Sequence, residues 1–405
     1  MFLLRNIRNH YNHTIYACYL GYITQAIINN FAPLLFVTFA ADYALSLDQI
    51  TLITTVNFLV QLTVDLLSAK FLDRLGYRGS VATAHLFCTA GLVGMAFLPS
   101  VMNPYVGLLL SVVCYAIGGG IIEVAISPIV ESCPTEKKEA AMSLLHSFYC
   151  WGHVFLVVVS TVFFALFGIE NWRVLACIWA LIPLLNAVYF CFVPLFPIVG
   201  SHTEPVSLSG LLKKQTFWVL FVLMICAGAS EQGMSQWASS FAESALGVSK
   251  AVGDLAGPCA FAVFMGAARA LYGKFEAKIP LRLFMSASAV LCVGCYLTAA
   301  LVDLPFFGLI GCAVCGFSVG IFWPGTFSLA AQRIRGGGTA MYALLALAGD
   351  VGCAGGPTVV GFIADACGGD LKTGLLAAIL FPILMFSGIR LLHSDKMQVE
   401  NSDIL

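Results

Sequence analysis

The residues of this sequence best able to do chemistry are carboxylates embedded in apolar stretches. Glu123 stands in Gly118-Gly-Gly-Ile-Ile-Glu123-Val-Ala-Ile-Ser-Pro128, and Glu231 in Gly228-Ala-Ser-Glu231. A carboxyl group in a low-dielectric site can exchange a proton near neutral pH. Once neutral, such a site can close and reorient without burying an anion. Glu123 is therefore the first candidate for proton coupling. The competing reading is a structural carboxylate paired permanently with a basic residue. Glu231 is the second candidate, and its wide polar face makes hydrogen bonding to a solute hydroxyl an equal use for it.

Other polar residues recur at helical spacing. Tyr22, Gln25 and Asn29 form one stripe, and Asn57, Gln61 and Asp65 another. Ser127 follows Glu123 by four, and His146, Tyr149 and His153 share a face. Glu231, Ser235 and Ser239 form a line, with Gln232 and Gln236 beside it. Polar groups are costly in hydrocarbon and turn toward a cavity or a partner. The candidate solute-binding residues are Gln25, Asn29, His146, Tyr149, Glu231, Gln232, Ser235, Trp237 and Trp323. Trp151, Trp237 and Trp323, with Tyr149, can stack on a sugar face or serve only as packing. His146 and His153 lack the further ligands that a metal site needs, so no metal is read here. Arg269 is a cation within an apolar stretch and must find a carboxylate, a carbonyl or water. Asp65 and Asp350 are its candidate partners in a gating or interface ion pair.

Elements able to position these residues follow from composition. Apolar residues make up 60% of the chain and charged residues 10%, against roughly 25% charged in a soluble domain. The mean hydropathy is +0.93. A chain this apolar belongs in a lipid bilayer, and a net charge of −1 gives no footprint for nucleic acid. A span needs about 20 apolar residues. Twelve are predicted: Ile15–Phe39, Ile50–Phe71, Val81–Leu98, Tyr105–Val130, Ala140–Phe167, Val174–Phe196, Phe217–Phe241, Leu255–Phe275, Leu281–Val302, Phe306–Ala331, Thr339–Ile363 and Gly374–Leu392. The first apolar run is too long for a signal peptide and is read as a retained span. Spans three, six, nine and twelve are nearly free of polar residues, His85 and Asn186 being the main exceptions, and are read as lipid-facing. Lys and Arg gather in alternate loops, while Arg173, Lys250 and Lys372 fall on the other side, which predicts cytoplasmic termini. Pro128, Pro324, the glycines 118–120 and Gly355-Gly356-Pro357 are expected kinks. The fifteen cysteines lie mostly inside apolar runs and read as packing thiols.

The chain also repeats itself. Ala69-Lys-Phe-Leu-Asp-Arg-Leu-Gly-Tyr-Arg78 lies over Gly273-Lys-Phe-Glu-Ala-Lys-Ile-Pro-Leu-Arg282, and Ala141-Met142 over Ala340-Met341. Both offsets are about half the chain. They predict an all-α membrane protein of two pseudo-symmetric six-helix bundles, at 1–197 and 215–405, joined by a cytoplasmic linker over 198–214. Such duplications place their solute site near the midplane between repeats. Asp65 and Arg269 occupy equivalent positions in the two halves.

The loop after span two resembles the signature of the major facilitator superfamily through Asp73, Arg74, Gly76 and Arg78, with Ala69 in place of its leading glycine. The resemblance implies the major facilitator fold, with Asp73, Arg74 and Arg78 bracing bundle ends rather than touching solute. More narrowly, the stretch around Glu123, the run Gly228–Glu231 with Trp237, and Gly266–Gly273 around Arg269 resemble the fucose-permease-like sugar symporters. That likeness places Glu123 on the group's protonatable glutamate. Asn29 stands where that group has an acidic residue in span one, so coupling would rest on Glu123, with Glu231 as a possible helper.

The resulting expectation is a secondary carrier working by alternating access. It would take up a neutral, polyhydroxylated solute such as a monosaccharide together with protons, without a cofactor and as a monomer. Na+ in place of H+ stays open, and no nucleotide-binding glycine loop is present to couple ATP. A proton-driven exporter of drugs or metabolites and a solute sensor that does not transport are the alternatives, and an enzyme is not expected.

Overall fold

The structure, a computed structural model, describes residues 7–8, 10–135, 138–196, 208–275, 278–334 and 338–402. Side chains are described for these except 68–71, 73–75, 131, 138–143, 208, 273–274, 338–340 and 393–402. The described elements are helical throughout. Twelve are long and apolar enough to cross a membrane: Tyr11–Tyr43, Leu47–Leu67, Tyr77–Val101, Pro104–Val130, Leu144–Phe167, Ile169–Phe192, Gln215–Ala245, Lys250–Tyr272, Leu281–Leu301, Pro305–Arg333, Met341–Ala366 and Leu371–Leu392. Only helices satisfy every backbone group within one segment, which is why a chain this apolar takes no other form.

The chain divides into two compact units, Met1–Ser201 and His202–Leu405. Of the linker expected over 198–214, residues 198–207 lie outside the described ones, and Leu208–Leu212 form one short helix. In the first unit, span one packs on spans four, five and six, and span four packs on spans two and three. In the second, span seven packs on spans ten, eleven and twelve, and span ten packs on spans eight and nine. The packing of the second unit thus repeats that of the first.

Several spans are interrupted. Span one passes through a 3-10 turn at Ala32–Leu35, where Pro33 has no N–H to continue the ladder. Span seven breaks at Gln236–Trp237 and ends in a π-turn, Phe241–Ala245. These two interruptions are separated by the offset that relates the sequence repeats. Span eight carries a second π-turn, Leu255–Cys259, around Pro258. Span ten breaks at Gly320–Ile321, just before Pro324.

Span four runs unbroken from Pro104 through Pro128, and the span-eleven helix continues through Pro357. The glycines of these two spans have a further use. A Cβ on Gly120 would lie 2.9 Å from the backbone oxygen of Gln61, and one on Gly356 2.3 Å from that of Ala229. These positions allow close helix approach. His85 and Asn186, the polar exceptions of spans three and six, are partners: Asn186 Nδ2 donates to His85 Nε2 at 2.8 Å and to the Ala17 carbonyl at 3.0 Å. His85 Nδ1 in turn meets the Val81 carbonyl at 2.7 Å. One buried polar pin ties spans one, three and six together.

Candidate functional site

Within the first unit, the stripes of spans one and two close on each other and on Glu123. Asn29 Oδ1 accepts from Gln61 Nε2 at 2.7 Å and from Asn57 Nδ2 at 3.2 Å. Gln61 Nε2 also donates to Asn57 Oδ1 at 2.9 Å. Gln25 Nε2 donates to Gln61 Oε1 at 2.8 Å and to Glu123 Oε2 at 3.2 Å. All four amide side chains are buried, at 3–6% exposure. Burial of amides is tolerable only when they satisfy one another. A hydrogen bond to a charged acceptor contributes roughly 1.5–3 kcal/mol net, so Gln25 is a substantial support for the Glu123 carboxylate.

Asp65, expected at a gate, stands beside Glu123: carboxylate oxygens of the two come within 4.8 Å of one another. The Tyr22 hydroxyl meets Ser127 Oγ at 3.3 Å, and the ring of His146 stands edge-on to Tyr22 at 5.3 Å. Asn30, which the spacing did not single out, donates to the Tyr149 hydroxyl at 3.3 Å. His146 is exposed and His153 buried, so the two do not present one surface. Trp151 is exposed.

The second unit gathers a different set. Gln236 Nε2 donates to Gln232 Oε1 at 3.0 Å, and Gln232 Nε2 to Glu231 Oε1 at 3.3 Å. Arg269 is near enough for its charge to act on Glu231, and its Nε donates to the Gly320 carbonyl at 3.1 Å, in the break of span ten. Ser235 is buried. Trp237 is 1% exposed, and its indole N–H donates to the Pro357 carbonyl at 3.0 Å. Trp323 lies edge-on to Phe327 and against Gly349, where an added Cβ would come 2.2 Å from its ring. Both indoles are thus held by packing. Asp350 is half-buried on span eleven.

A further cluster escaped the sequence reading. Lys250, expected in a loop, opens span eight, with its Nζ 3.3 Å from Glu243 Oε1 and 3.1 Å from Asp254 Oδ2. Ser239 Oγ donates to Asp254 Oδ1 at 2.5 Å. Asp254 is fully buried. Ser239 with Glu243 and Lys250 with Asp254 are each four residues apart, and the close of span seven meets the opening of span eight there. The recoverable signal was charge: Glu243, Lys250 and Asp254 crowd the junction of two apolar runs.

At the loop after span two, the side chains of Asp73 and Arg74 lie outside the described residues. Arg78 Nη1 donates to the Phe190 carbonyl at 2.6 Å, near the C-terminal end of span six, where a cation suits the helix dipole.

Twelve spans in two six-helix units of like packing, with carboxylates and amides gathered inside the spans, define a polytopic membrane transporter fold. The chain belongs to the Major Facilitator Superfamily, whose family model matches residues 18–391. Solved structures show the same fold. A bacterial homologue of the human lysosomal transporter Spinster superposes with a TM-score of 0.77 at 15% identity, covering 95% of this chain and 97% of its own. The nucleoside transporter NupG gives 0.75 at 13% identity, covering 93% and 99%. The E. coli fucose:proton symporter FucP gives 0.64 at 18% identity, covering 93% and 98%. No curated protein sequence matches the chain significantly.

Proposed function

We propose that this transporter takes up a neutral, polyhydroxylated solute together with protons, by alternating access across a cell membrane and with both termini cytoplasmic. The observation that carries the reading is the Gln25–Gln61–Asn57–Asn29 amide cluster hydrogen-bonded to Glu123. Amides offer both donors and acceptors, which suits hydroxyl groups, and a carboxylate inside a span is a natural proton carrier. Glu123 carries the proton, and Glu231, Gln232 and Ser235 are the candidate solute-binding residues of the second unit. The monomer in its bilayer is the working form. Monosaccharides are the first candidates, in line with the fucose:proton symporter among the structural relatives. Nucleosides, which also carry sugar hydroxyls, come next, in line with the nucleoside transporter.

The test is uptake of labelled monosaccharides, polyols and nucleosides into proteoliposomes under an imposed pH gradient. Accumulation of one of them, abolished by a proton ionophore, supports the proposal. Accumulation that needs Na+ and ignores the ionophore would replace the proton. Extrusion of dyes without uptake of any of the panel would overturn it.

A further inference from the structure

The amide cluster of the first unit has a direction. Gln25 uses both amide hydrogens, one on Glu123 and one on Gln61. Gln61 likewise uses both of its own, on Asn29 and Asn57. These donors each point to an acceptor, in an order compatible with an ionised Glu123. The exception is Gln25 Oε1, which is buried without a hydrogen-bond partner among the described residues. Gln25 itself is only 5% exposed. The orphaned oxygen faces span four, where an added Cβ on Gly119 would lie 3.2 Å from it. A buried acceptor left unsatisfied is costly, so the arrangement that suits an ionised Glu123 leaves one hydrogen bond unmade.

The carboxylates beside it lead to the same point. Asp65 and Glu123 approach within 4.8 Å, and two carboxylates that share a site do not readily both ionise. Their protons belong to the pair. Within the first unit, the other titratable groups on that side are Tyr22 of span one and, behind it, His146 of span five. His85 of span three is turned into its own pin with Asn186.

We propose that Asp65 and Glu123 hold one exchangeable proton between them, and that Gln25 converts its presence into the hydrogen-bond polarity of the solute-binding amides. The proposal rests on the proton-coupled reading above. With Glu123 ionised, Gln25 donates to it. A proton taken from water gives Glu123 an O–H that must donate. Half a turn about Cγ–Cδ of Gln25 then brings Oε1 to accept it, which gives the orphaned acceptor a partner and carries Nε2 to the place beside Gly119 that Oε1 leaves. The same turn sets Gln25 Oε1 against Gln61 Oε1, so Gln61 turns as well, and Asn57 and Asn29 follow. The cluster then faces the solute with donors and acceptors exchanged. No bond other than the one to the proton forms or breaks, and the proton returns to water when Glu123 ionises again. Gln25 is in this account a positioning residue that couples the proton to the solute.

The test needs no solute. Full-length protein carrying glutamine with a 13C side-chain carbonyl, reconstituted in lipid, is followed by infrared difference spectroscopy as the pH is cycled from mildly alkaline to mildly acidic. The expected result is one protonated-carboxyl band, equivalent to one proton, with a labelled glutamine band shifting over the same interval. Glu123→Gln should remove both changes. Gln25→Met should keep the carboxyl band and lose the glutamine shift; if it fails to fold, the wild-type bands alone still decide. A carboxyl band that titrates while the glutamine band stays fixed, or two carboxyls that titrate as two protons, would overturn this inference and leave proton coupling intact. No titrating carboxyl at all would overturn proton coupling with it.

Discussion

Gln25 Nε2 lies 2.8 Å from Gln61 Oε1 and 3.2 Å from Glu123 Oε2, so a single amide joins the polar stripe of span two to the carboxylate of span four. The three helices come this close because Gly119 and Gly120 present no side chain. A Cβ on Gly120 would fall 2.9 Å from Asp65 Oδ1, from the Gln61 backbone oxygen and from Val64 Cβ. A flexible tip can yield to such a contact, but a backbone oxygen cannot. Overpacking of this kind costs about 1–3 kcal/mol. Gly120→Ala should therefore lower the thermal midpoint of the detergent-solubilised protein and depress transport. Gly294→Ala, at a helical site with nothing within 4 Å, should leave both unchanged or slightly raise the midpoint.

Asp254 is fully buried, with the Lys250 ammonium and the Ser239 hydroxyl against it. Removing one partner of a buried pair strands the other charge, at about 3–5 kcal/mol. Lys250→Met should accordingly be far more destabilising than the paired variant Lys250→Met with Asp254→Asn. A double-mutant cycle on thermal unfolding, with Asp254→Asn as the second single variant, checks this; a paired loss equal to the sum of the two single losses would show that the contact is not energetically coupled.

Asp370 caps the N-terminus of the helix that opens span twelve, accepting from the backbone N–H groups of Lys372 at 3.1 Å and Thr373 at 3.3 Å. The Thr373 hydroxyl first, then those N–H groups and the Lys372 charge, hold its carboxyl below the usual carboxylate range. A depressed carboxyl stabilises the fold when ionised. Its contribution is present above the ordinary carboxylate range and is lost as pH falls through the lowered one. Asp370→Ala should cost about 1 kcal/mol at neutral pH, reduced by the exposure of the cap. The gap between variant and parent in thermal unfolding should close as the pH is lowered.

The indole N–H of Trp237 donates to the Pro357 carbonyl at 3.0 Å from a fully packed position. Trp237→Phe should lower stability by about 1 kcal/mol, the net worth of one hydrogen bond, and leave the KM for solute unchanged. A rise in KM of tenfold or more with unaltered stability would restore Trp237 to the solute site as a stacking surface.

Hydropathy made the twelve spans legible, because a lipid-spanning helix needs little beyond length and apolar composition. The spacing of Gln25 with Asn29 and of Asn57 with Gln61 also showed through, since residues four apart share a helix face. The partnership of Asp65 with Glu123 did not. Which faces of two helices meet is a property of packing, and no periodicity within either helix encodes it. The Ser239–Glu243–Lys250–Asp254 cluster was hidden for another reason. A hydropathy boundary excluded Lys250 from its span, and no periodicity within one helix shows which residues of the next it meets. Trp237 marks a limit of spacing, since an aromatic in a polar stripe looks alike whether its N–H meets a solute or, as here, a backbone carbonyl. The glycines 118–120 were read as kinks from sequence; that Gly119 and Gly120 adjoin the side chains of Gln25, Gln61 and Asp65 was not legible there.

The central claim is that solute and proton move together through Glu123. Proteoliposomes loaded with a pH-sensitive dye test it directly, as each monosaccharide, polyol and nucleoside is added in turn. The account predicts proton entry with one of them, abolished in Glu123→Gln while binding of that solute persists. Solute entry with no change in the dye, or proton entry undiminished in Glu123→Gln, would contradict it.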